Sequence, residues 1–92
     1  MIRMLSNAVG TVFGNANCWC LEPPADAVLP SSQRPIQLEI VGEERQGYYL
    51  VISPKGFFTA DAAYATLQQA KAAAKGLFGL DEQDWQLVSS IR

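Results

Sequence analysis

The sequence predicts an α+β domain: a strongly bent antiparallel sheet of four or five strands, or a small open barrel, packed by one helix near 60–78. Three observations predict it. Ile36, Leu38 and Ile40 alternate with Gln37, Glu39 and Val41, the period of a half-buried strand. Tyr48 to Ile52 follows a turn bounded by Gly42 and Gly47, as the return strand of a hairpin would. Ala60, Ala63, Tyr64, Leu67, Ala70, Ala74, Leu77 and Phe78 then fall at steps of three and four, one face of a helix ended by Gly79.

Taken in order, residues 2–14 satisfy two patterns. Ile2, Leu5, Val9 and Val12 have helical spacing, whereas Val9, Thr11 and Phe13 alternate and two glycines disfavour a helix. The expectation is helix or turn over 2–8 and strand over 9–14. Asn15-Ala16-Asn17 reads as a turn, because Asn tolerates left-handed backbone angles. A strand over 18–22 completes a hairpin. Residues 23–35 hold Pro23, Pro24, Pro30 and Pro35 and are expected to be a connecting loop, since proline has no backbone donor.

Tyr48 to Ile52 is apolar on both faces, which suits a central strand between the helix and the N-terminal segment. Ser53-Pro54-Lys55-Gly56 has proline at the second position of a β-turn, and Phe57-Phe58-Thr59 is the returning strand. Thr59 or Asp61 would cap the helix. Its exposed side carries Lys71 and Lys75 in the C-terminal half, where the helix dipole favours cations. Asp81 to Asp84 forms a polar turn, and Trp85, Leu87 and Val88 suggest a last strand before a frayed end at Arg92.

Ninety-two residues make one domain, spanning 1–92. Only 17% of residues are charged, below the roughly 25% of ordinary soluble domains. A surface short of charge favours a protein partner or a second copy of the chain. The net charge of −2 gives no general attraction for phosphate backbones or anionic membranes. No apolar run is long enough to span a bilayer, and no secretory pattern opens the chain, so a cytoplasmic protein is expected.

Histidine is absent, which removes Ser-His-Asp and Cys-His catalysis and the commonest metal ligand. Neither glycine-rich phosphate motif occurs. No catalytic residue, metal or cofactor is assigned, and a non-enzymatic protein is expected. Cys18 and Cys20 are two residues apart, so on a strand their thiols share one face, about 7 Å apart. Two thiolates can begin a zinc or copper site, but structural zinc takes four ligands and the chain offers no second pair. They are expected to be small buried hydrophobes beside Trp19.

Lys55-Gly56-Phe57-Phe58 resembles the opening of the second signature of the RNA-recognition motif, departing from it at Thr59. Leu38-Glu39-Ile40, Gly47-Tyr48-Tyr49-Leu50, Phe58-Thr59-Ala60-Asp61, Thr66 to Ala70, Phe78-Gly79-Leu80 and Asp84-Trp85 resemble a family of small uncharacterised bacterial proteins. Members of that family often carry Trp-His after the aspartate, where this chain has Ala62-Ala63. The resemblance implies no activity. Several short bent strands with one helix are also similar in architecture to Sm-like small barrels.

Two functions follow as expectations. The first is a non-enzymatic binding or assembly module acting through a sheet edge or an aromatic surface. The alternative is a small-barrel binder of single-stranded RNA or DNA using Tyr49, Lys55, Phe57 and Arg45. Folding alone explains least of the Pro-rich 23–35 segment, the Cys18–Cys20 strand and the Gly42–Gly47 tip, where function is expected to concentrate.

Overall fold

A computed structural model of the chain describes residues 1–90; the end at Arg92 lies outside them. The described residues form β1 (Ile2–Asn15), β2 (Cys18–Cys20), β3 (Ser31–Glu43), β4 (Gly47–Pro54), β5 (Ala60–Tyr64), α1 (Leu67–Phe78), a short 3₁₀ turn (Glu82–Asp84) and β6 (Gln86–Ser90). One antiparallel sheet runs β2-β1-β3-β4-β5, with β6 joined to β1. The sheet curls into a half-barrel and α1 packs against it, which is the predicted α+β architecture.

Even-numbered positions make the inner face. Ile36, Leu38 and Ile40 on β3 and Leu50 and Ile52 on β4 are buried, as their alternation predicts. Val12, Ala70, Ala74, Leu80 and Trp85 complete the core. Each large aliphatic side chain so removed from water contributes about 2 kcal/mol. Ala70 and Ala74 are the fully buried residues of the helix, and their small size lets the helix axis approach the sheet. A Cβ at Gly10 would stand 3.0 Å from Ile36 Cδ1 and 3.4 Å from Phe78 Cε1, so the last turn of α1 rests on a bare backbone position.

The N-terminal segment is one strand from Ile2 to Asn15, not a helix followed by a strand. Its pairing with β3 from Ile2 to Phe13 satisfies the backbone groups of every second residue without a break, which outweighs the weak helical spacing of residues 2–8. The predicted hairpin forms, with Asn15 opposite Cys18 and the Asn15 side-chain carbonyl accepting from the N–H groups of Asn17 and Cys18, each at 3.0 Å. β2 ends at Cys20, short of the predicted 22.

The Pro-rich segment is a loop only as far as Pro30. β3 begins at Ser31 and runs through Pro35. Pro35 is tolerated because its backbone faces the last residues of β4, where the Pro35 carbonyl accepts from the Lys55 N–H at 2.9 Å and the Lys55 carbonyl accepts from the Arg34 guanidinium in place of the N–H that proline lacks. β4 has one covered face, not two: Tyr49 is 48% exposed, and the N-terminal segment lies in the sheet instead of over it.

The turn after β4 is one residue later than predicted. Phe57 N–H donates to Pro54 O at 3.0 Å, which places Gly56 third, with φ of 84°. Residues 57–59 are irregular, and 60–64 is β5, where the helix was expected to begin. Tyr48 pairs with Tyr64, Leu50 with Ala62 and Ile52 with Ala60. A helix over 60–64 would leave the β4 backbone unpaired there, so sheet pairing overrides the helical propensity of these alanines.

α1 is capped instead by Thr66, whose hydroxyl accepts from Gln69 N–H at 3.1 Å. The Gln69 side chain reaches back to Ala65 N–H, also at 3.1 Å. Leu67 and Phe78 pack on the core as predicted, while Leu77 is 40% exposed. Gly79 ends the helix with φ of 72°, as expected. The polar 3₁₀ turn then leads to β6, tied to β1 by the buried Ser6 hydroxyl, which donates to Asp84 O at 2.8 Å.

Candidate functional site

β1 has a strand partner along all of one edge but only at the two ends of the other. On that outer edge β6 pairs with Ile2–Leu5 and β2 with Phe13–Asn15. Between them, from Ser6 to Val12, no strand pairs with it among the described residues. Two hydrogen bonds reveal which residues point into this gap. Gly14 N–H donates to Pro30 O on the β3 side at 2.8 Å, and Pro35 O faces the β4 side. Backbone polar groups alternate in direction along a strand, so the even residues of β1 bond to β3.

Asn7, Val9 and Thr11, opposite Gln37, Pro35 and Gln33, therefore send both N–H and C=O outward. Their side chains are exposed, Val9 to 69%. At strand rise the gap measures roughly 20 Å, enough for one short added strand. The other sheet edge differs. β5 is short and carries the exposed charge of Asp61, two common ways of blunting an edge.

The predicted surface residues are dispersed. Arg45 lies exposed in the turn before β4, and Lys55 lies exposed in the turn after it, roughly 25 Å away at strand rise. Tyr49 stands between them on the outer face, opposite Val41 and Ala63. Phe57 is half-buried with the Arg34 guanidinium 4.1 Å from its ring centroid, and Arg34 also donates to Lys55 O at 2.9 Å. Lys55 and Phe57 are thus joined by Arg34, a β3 residue within the predicted 23–35 loop.

Cys18 is exposed and Cys20 half-exposed, so the expectation of buried cysteines is corrected. The register puts both on the face of Phe13 and Asn15, while Trp19 takes the opposite face with Gly14. The Trp19 indole donates to Phe58 O at 2.9 Å and its ring lies 5.8 Å from the Phe58 ring. That anchor consumes the aromatic side chain between the thiols and leaves them outside the core.

A cleft of about 380 Å³ lies between α1 and the 3₁₀ turn, lined by Gln68, Lys71, Lys75, Asp81, Glu82 and Trp85. Lys71 pairs with Glu82 at 2.7 Å and Lys75 with Asp81 at 3.4 Å. The charges thus neutralise one another at the rim and offer no net field to an ionic ligand. No described cluster of three or more Cys, Asp or Glu is placed to hold a metal ion. No helix among the described residues is long and apolar enough to cross a membrane.

No protein-family model, curated protein or solved structure matches this chain. The functional reading therefore rests on the geometry of β1 and β2.

Proposed function

We propose that the domain is a non-enzymatic binding module that accepts a short extended segment of a partner protein as an added strand on β1. The observation that carries this reading is the outward backbone of Asn7, Val9 and Thr11, left unpaired between β6 and β2. Main-chain hydrogen bonds would supply the attraction, and side chains at alternate positions the selectivity. The flanking strands favour a flexible guest. A second copy presenting its own β1 in a two-fold arrangement would drive the ends of that strand into β6 and β2. A short peptide can leave the sheet at both ends of the gap.

Single-stranded nucleic acid is a weaker reading. Lys55 and Arg45 stand at opposite ends of β4 with Glu39 and Asp61 on the outer face between them, which makes no continuous basic track.

Amide NMR tests the proposal. In the free protein the N–H groups of Asn7, Val9 and Thr11 exchange with solvent faster than those of Ala8 and Gly10. Peptides about six residues long with alternating valines are then titrated in. The expected result is protection and shift of the same three amides, and loss of both with Val9→Pro. Peptides that leave these amides unmoved, or that bind the Val9→Pro protein equally well, would overturn the reading.

A further inference from the structure

We propose that Cys18 and Cys20 form a two-coordinate site for copper(I), separate from the β1 edge. Both cysteines are free, Cys18 exposed and Cys20 half-exposed, and both lie on the outer face of the same three-residue strand. Their orientation is held from behind. Trp19 is fixed to the other side by its indole hydrogen bond to Phe58 O and by the Phe58 ring. The hairpin turn is locked by the Asn15 carboxamide, which holds the N–H of Cys18 itself. Strand alternation therefore cannot reverse, and the two sulfurs stay on one face.

The spacing fits a linear ion. Cα atoms two residues apart on a strand are separated by about 6.7 Å. At thiolate–metal bond lengths of about 2.3 Å, a linear S–metal–S unit spans about 4.6 Å. Each sulfur needs to lean roughly 1 Å towards the other, within the reach of a side-chain rotation. Zinc would need further ligands, and no described third Cys, Asp or Glu joins the pair. Two soft thiolates alone suit copper(I). Binding replaces two S–H protons with two Cu–S bonds, releases both protons and leaves the metal's oxidation state unchanged.

The test is an anaerobic titration of the reduced full chain with copper(I) held by the chromophoric chelator bicinchoninate. One copper per chain is expected, with no change in oligomeric state by light scattering. Cys18→Ser and Cys20→Ser each weaken binding on the order of a hundredfold or more, beyond the loss caused by removing an outer group. Neither cysteine lies in the core, and circular dichroism of each variant checks its fold. Trp19→Phe keeps both thiols but loses the indole anchor, and a drop of roughly tenfold is expected. Single-serine variants that compete as well as the unaltered chain would refute the site. So would copper that draws two chains together, which would mean thiolates shared between copies.

Discussion

The two edges of β1 are built from alternate residues of one strand and meet opposite fates. Towards β3, Met4, Ser6, Ala8, Gly10 and Val12 hold a ladder that runs without a register shift. Away from β3, Asn7, Val9 and Thr11 face a gap. Neighbouring residues thus differ in whether their backbone is structural or available. Composition does not separate the two sets, since Val9 is as apolar as Val12. Edge strands are normally blunted, and here β6 and β2 shorten the exposed stretch without closing it.

That difference can be tested by moving one substitution along the strand. Ala8→Pro removes a donor from the β3 ladder and should destabilise the domain by about 3 kcal/mol or more, read by urea denaturation. A core truncation sets the scale beside it. Leu38→Ala, at a position with no exposed surface, should cost about 3 kcal/mol. Helix α1 offers a smaller effect: Thr66→Ala removes the hydroxyl that accepts from Gln69 N–H and should cost about 1 kcal/mol.

Val9→Pro stands at the bottom of the series. The Val9 N–H points into the gap, and Pro35 already sits across from it. The expected cost is below about 1 kcal/mol, although peptide binding is lost. Equal destabilisation by proline at 8 and at 9 would erase the distinction between the edges. The exposed ion pair between Arg3 and Glu39 gives a last check, since Arg3→Ala should change stability by no more than about 1 kcal/mol.

The β3–β4 hairpin was legible because its signals are local. The even positions of β3 declare its buried face, and Gly42 and Gly47 bound its turn. Gly79 marked the helix end for the same reason. The helix start was written too, in Thr66 followed three residues later by Gln69, but the alanines before it carry a helical pattern that hides the cap. The candidate sites were legible only in part. Period-two spacing shows that Cys18 and Cys20 share a face, but their exposure depends on where Trp19 is anchored.

By itself the sequence determined the fold class, the inner face of β3, the hairpin at Asn15 and the end of the helix. Each follows from side-chain periodicity or from backbone angles that few residues adopt. Tertiary structure alone decided that residues 2–8 and 60–64 are strands, that Pro35 lies within one, and that β1 keeps an open edge. Those outcomes depend on hydrogen bonds between residues distant in the chain, such as Leu50 with Ala62 and Ser6 with Leu38. A backbone donor is satisfied or left open by the neighbour that folding brings beside it, and no local pattern records which neighbour that is.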